Sequence, residues 1–146
     1  MADPRTALVQ AWLAKSEEDL AVARLLIAEE RRLLGAGVYH CQQAAEKALK
    51  AWLTARDLVF PKTHDLEILV QLAATVRPGF LSLHGEAQRL TPLATEYRYP
   101  GDAHAPEPET AQALLRAAED IHRVVIASLA SEGPKPIAED RGAGSE

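Results

Sequence analysis

The chain has 146 residues, 47% of them apolar, 25% charged and 5% aromatic, with a formal net charge of −5; this suits one domain with a buried core and argues against a broad basic surface that holds nucleic acid by counterion release. A cleft lined by a few cations still focuses a local positive field in an acidic chain, so a nucleic-acid contact, if any, is expected to be local. No apolar run approaches the roughly 18 residues of a membrane span, the N-terminal MADPRTALVQ lacks the basic and long apolar regions of a secretory signal, and one cysteine, Cys41, cannot close an internal disulfide, which together make a cytoplasmic protein the expectation.

From Thr6 to about Arg32 the residues Val9, Leu13, Leu20 and Ile27 fall on one stripe, widened by Trp12, Ala23 and Leu26, with no Gly or Pro between them. That pattern predicts one long amphipathic helix. Gly35 and Gly37 are read as punctuation after it. Val38, Cys41, Ala45, Ala48 and Trp52 then recur at spacings of three and four, predicting a second long helix whose opposite, solvated face carries Gln42, Gln43, Glu46, Lys47 and Lys50. Glu46 and Lys50 form a favourable i,i+4 pair. Cys41 falls in the apolar register as a buried thiol.

The stretch FPKTHDL reads as a loop, with Thr63 or Asp65 as the N-cap of a third helix through Leu66, Leu69, Val70, Ala73 and Val76 that closes at Pro78-Gly79. A fourth helix is expected through Leu83, Ala87, Leu90, Ala94 and Tyr97, kinked or restarted at Pro92 with Thr91 as cap. After RYPGDAHAPEPE the last helix runs from about Pro108 or Thr110 to Ser131, with Leu114, Ala118, Ile121 and Val125 in register. Residues 133–146, GPKPIAEDRGAGSE, have no apolar period and read as a disordered tail. The expected architecture is all-α, an antiparallel up-and-down bundle of about five helices over residues 1–132.

The chemistry concentrates in TEYRYPGDAH, Thr95 to His104. In an unbroken helix residues six apart lie about 240° round and do not share a face. Tyr99-Pro100-Gly101-Asp102 instead suits a type II turn, with Pro presetting φ and Gly accepting φ > 0. Such a reversal brings His104 back toward Arg98, placing a permanent cation beside a group that exchanges a proton near neutral pH. Tyr97 and Tyr99 bracket Arg98 as rings on which bases stack in single-strand sites, Tyr97 also continuing the core stripe. Lys47, with Lys50, is a candidate for a nucleotide phosphate, set against its reading as part of a solvated face. The remaining histidines carry simpler readings: His64 in the cap region before Asp65, His122 as a packing residue, and His40 and His84 without the i+3 or i+4 partners of a metal pair. No spacing resembles a zinc site, so no metal or other cofactor is expected.

An R-x5-H motif, Arg98 to His104, following the penultimate helix of a small all-α bundle resembles the HEPN domain (higher eukaryotes and prokaryotes nucleotide-binding). So do YHCQQAAEKALKAWL (Tyr39 to Leu53), similar to the family's second helix, and KTHDLEIL (Lys62 to Leu69), similar to the start of its third; the likeness spans roughly Thr6 to Ser131. The resemblance implies a homodimer that pairs two motifs in one cleft and cleaves RNA without metal. His104 would be the acid/base at the ribose 2′-hydroxyl or leaving oxygen, and Arg98 would bind the scissile phosphate, with Tyr97, Tyr99, Asp102 and Lys47 as candidate RNA- or nucleotide-binding residues. It also implies a partner, a minimal nucleotidyltransferase holding this chain as a toxin. The alternative that the family leaves open is a non-catalytic nucleotide-binding or interaction module. Tyr99-Pro100 directly follows Arg98 where RNA-cleaving members often carry Asn or Asp. Pro106 stands where one toxin–antitoxin branch has a Tyr that accepts nucleotidyl groups.

Overall fold

The computed structural model describes residues 3–98 and 105–132. The type II turn at 99–102 and the tail at 133–146 lie outside the described residues. Five α-helices carry the described chain: α1 (Pro4–Glu29), α2 (Leu34–Ala55), α3 (Leu66–Val76), α4 (His84–Leu90) and α5 (Pro108–Glu132), with short 3-10 segments at Arg31–Leu33, Pro78–Leu83 and Thr91–Ala94.

α1 starts where Asp3 accepts from the Arg5 amide and Pro4 takes a position whose N–H has no helical partner anyway. The chain turns through one 3-10 turn and returns antiparallel as α2. The cross-contacts show this: Ser16 Oγ donates to the Ala44 carbonyl at 2.7 Å, Asp19 meets His40, and Gly37 lies under Ile27. Gly35 and Gly37 therefore do not punctuate. Both lie inside α2, and each is small because something crosses it closely: a Cβ on Gly37 would stand 2.8 Å from Ile27 Cγ1, and one on Gly35 3.0 Å from Tyr97 Cβ.

α2 is the centre of the fold. It packs on α1, α3 and α5, so its second face is covered as well as its first. Gln42, Glu46 and Lys50, expected on a solvated face, are buried at 0%, 4% and 8% exposure. Burying charge is tolerable only when it is paired and hydrogen-bonded, and it is: Lys50 Nζ reaches Glu46 Oε2 at 3.3 Å, realising the i,i+4 pair in a dry setting. Trp52, fully buried, meets Phe80 with ring centroids 4.5 Å apart.

Asp65 caps α3, accepting from the amides of Glu67 and Ile68, and Thr63 supports it by accepting from the Asp65 amide. The fourth helix is shorter than its register suggests. α4 ends at Leu90, the Thr91–Ala94 segment tightens to 3-10, and Tyr97 adopts φ 65°, leaving helical register altogether. The cause is local: Pro92 has no N–H to continue the ladder. Thr91 Oγ1 is instead used twice, donating to the Ala87 carbonyl and accepting from the amide of Leu66, an otherwise orphaned donor at the start of α3. α5 then lies along α1 and α2, its Glu132 reaching Arg56 just past the end of α2.

Candidate functional site

Arg98 sits at an exposed bend where the chain leaves the Thr91–Ala94 segment. Two contacts fasten that bend to the first turns of α2. The half-buried Tyr97 packs its Cβ over Gly35, and the Arg98 guanidinium lies on the Tyr39 ring, its Cζ 4.3 Å from the ring centroid. Arg98 Nη1 also donates to the Ala94 carbonyl at 3.5 Å, as a terminal cation does to the last carbonyls of a helical segment. No carboxylate among the described residues pairs with Arg98. Its charge is thus held in place by a ring face and a carbonyl, neither of which neutralises it.

From Tyr39 a polar seam continues along the α1–α2 contact. The Tyr39 and His40 rings meet edge to face, centroids 5.3 Å apart. His40 Nδ1 lies 2.8 Å from Asp19 Oδ1, and the other Asp19 oxygen accepts from Lys47 Nζ. Asp19 is largely buried and so needs these partners. Lys47, singled out for a phosphate, is therefore engaged by Asp19 and does not stand on a solvated face. Tyr97 has its phenol held above its ordinary value, by desolvation first and then by the neighbouring Glu96 carboxylate, which keeps it a hydrogen-bond donor.

A second cluster lies where the two family-like stretches touch. His64 Nδ1 is 2.6 Å from Glu46 Oε1, Gln42 Nε2 donates to the His64 carbonyl at 3.0 Å and to Glu46, and Lys50 binds the other Glu46 oxygen. The His64 ring remains 67% exposed over a carboxylate that is 5% exposed. This cluster ties the α2–α3 loop to α2, and Lys50 Nζ is further covered by the rings of Trp12 and Phe60 at 5.7 and 5.9 Å.

Of the site residues named from sequence, the structure places Arg98, Tyr97 and Lys47; Tyr99, Asp102 and His104 lie outside the described residues. Sequence reasoning missed Tyr39 as the platform for Arg98, Asp19 as the partner of His40 and Lys47, and the His64–Glu46 pair. Tyr39, Glu46 and His64 do stand within the two stretches that carry the family resemblance. Cys41 matches its reading as a buried thiol: burial, and then the Glu119 charge, push its pKa up to about 12. No group of three or more His, Cys, Asp or Glu side chains suited to a metal ion occurs among the described residues.

A family profile described as HEPN domain matches residues 9–129. The chain is also similar to a solved structure, the archaeal HEPN homologue ST0689, at 23% identity and a TM-score of 0.65, the match covering 82% of this chain and 96% of that one. No curated protein matches it in sequence. No helix among the described residues is long and apolar enough to cross a membrane.

Proposed function

Because the chain belongs to the HEPN domain family, we propose that it is a metal-independent endoribonuclease, working as a homodimer in which Arg98 holds the scissile phosphate and His104 transfers the proton. The observation that supports this reading is the state of Arg98, exposed at a bend, fixed on Tyr39 and unneutralised among the described residues. The 2′-hydroxyl attacks phosphorus and its proton passes to a base. As the bond to the 5′-oxygen breaks, that oxygen takes a proton from an acid, leaving a 2′,3′-cyclic phosphate and a 5′-hydroxyl. One imidazole cannot serve as base and acid in the same step, whereas a two-fold axis supplies two. A guanidinium on the non-bridging oxygens stabilises charge that grows in the transition state.

The test is cleavage of a labelled single-stranded RNA in excess EDTA. His104→Ala is expected to cost about 10² to 10⁴ in rate with RNA affinity nearly intact, and Arg98→Ala to weaken binding and turnover together. Light scattering should give a dimer at tens of micromolar. Equal cleavage by wild type and His104→Ala rejects the enzyme reading. The second reading, a nucleotide-binding module, is favoured by Tyr99-Pro100 directly after Arg98; it is accepted if no RNA is cleaved while a nucleotide raises the melting temperature. The pairing with a minimal nucleotidyltransferase belongs to the first reading and predicts that expressing this chain alone arrests growth, with relief on co-expressing the partner.

A further inference from the structure

Between α4 and the middle of α5 runs an open groove of about 420 Å³, lined by Arg89, Arg116 and Arg123 together with Glu119, Asp120 and two alanines. In a chain of net charge −5, three guanidiniums along one groove are a local reversal of sign. We propose that this groove binds the sugar-phosphate backbone of single-stranded RNA, independently of base sequence. The proposal rests on the RNA reading above for its ligand class.

Three features carry it. Arg116 and Arg123 are seven residues apart on α5, two turns of one face and roughly 10 Å along the axis. With Arg89 on the opposite wall they offer a row of donors longer than one phosphate needs. Among the described residues the groove is lined by arginine, alanine and two acids and by no aromatic ring, so a base finds nothing there to stack on and recognition falls to the backbone. The acids do not close it. Glu119 is turned to Arg24 of α1 at 2.9 Å, Asp120 makes an exposed i,i+3 pair with Arg123 at 2.6 Å, and Arg89 only approaches Glu86 at 3.9 Å. Arg116 meets no carboxylate among the described residues. Exposed pairs of this kind are weak and yield readily to a phosphate.

The experiment measures binding of a labelled single-stranded RNA of mixed sequence by anisotropy across a salt series, using the full chain. Arg116→Glu with Arg123→Glu is expected to weaken binding at least tenfold. It should also flatten the slope of log affinity against log salt by about 1.4, at about 0.7 for each single-strand phosphate that is no longer neutralised. Lys15→Glu with Arg32→Glu, an equal charge change at exposed sites elsewhere, should do neither. Arg116→Gln with Arg123→Gln, which only removes charge, should fall between, and thermal melts of all variants verify folding. Unchanged affinity and slope in the Arg116/Arg123 variants overturns the proposal, as does an equal loss in the Lys15/Arg32 control, which makes the effect one of net charge. Cleavage is scored separately. If His104→Ala cleaves like wild type while groove reversal abolishes binding, the nuclease reading falls and the groove stands; if groove reversal leaves binding intact while His104→Ala is inactive, the reverse holds.

Discussion

At the scale of single residues, the polar groups divide into those that found partners and those that did not. Asp19, Glu46 and Gln42 are buried and satisfied by neighbours on other elements. His122, on α5, is half-buried and its Nε2 has no hydrogen-bond partner. Its pKa lies below the ordinary 6.5, by desolvation first; the Glu17 charge opposes the shift and Arg24 adds to it. A histidine that resists protonation when folded acquires its proton on unfolding at pH values between the folded and ordinary pKa. Unfolding therefore takes up protons there, and stability falls as pH falls below about 6.5. Replacing His122 by Leu removes that coupling. The melting temperature of His122→Leu is expected to drop less than that of wild type between about pH 7 and pH 5, with the two chains differing by a constant above pH 7; parallel curves over the whole range would show that His122 titrates normally. The tertiary pairings were not legible in the sequence. The i,i+4 pair Glu46–Lys50 lies within one helix and could be read, whereas Asp19–His40, His64–Glu46 and Arg98–Tyr39 depend on which faces meet.

At the scale of elements, fold class and helix order were legible because apolar spacing of three and four persists through α1, α2, α3 and α5. Two of the misreadings share one origin, in that periodicity reports a stripe and not what crosses the other side. Gly35 and Gly37 look like breakers by composition, yet each sits in α2 where another element approaches. The polar face of α2 looks solvated, yet it is covered. Close approach also separates two helical glycines that seem alike in sequence. Gly37→Ala gains about 1 kcal/mol of helix propensity but forces a methyl to 2.8 Å from Ile27 Cγ1, mid-side-chain and unable to swing aside. Overpacking of that kind costs about 1–3 kcal/mol, so Gly37→Ala should be destabilised by about 1 kcal/mol net. Gly85, in α4, has nothing within 4 Å of an added Cβ, and Gly85→Ala should be stabilised by roughly 0.5 kcal/mol. Urea unfolding of the two variants checks the signs, and stabilisation of both would mean that α1 and α2 are less closely packed at Gly37 than described.

At the scale of the whole molecule, the last turn of α5 fastens the far end of the bundle. Glu132 bridges two arginines from other elements, Arg77 Nη1 at 2.7 Å and Arg56 Nη1 at 3.4 Å, and Ser131 Oγ accepts from Arg77. Glu132 is only 18% exposed, so losing it strips two guanidiniums of their shared carboxylate and frees the start of the segment that follows α3. Beyond it, residues 133–146 offer one large apolar side chain, Ile137, among prolines, glycines and charges, too little to offset the entropy of ordering the segment. The boundary of the folding unit is therefore proposed to lie immediately after Glu132. A chain ending at Glu132 should melt within a degree or two of the full chain. Glu132→Ala in the full chain should lose about 1 kcal/mol, several degrees in melting temperature for a domain of this size. The pair of measurements is decisive because length and charge are separated: if truncation lowers the melting temperature while Glu132→Ala does not, the tail and not the carboxylate secures this end of the bundle.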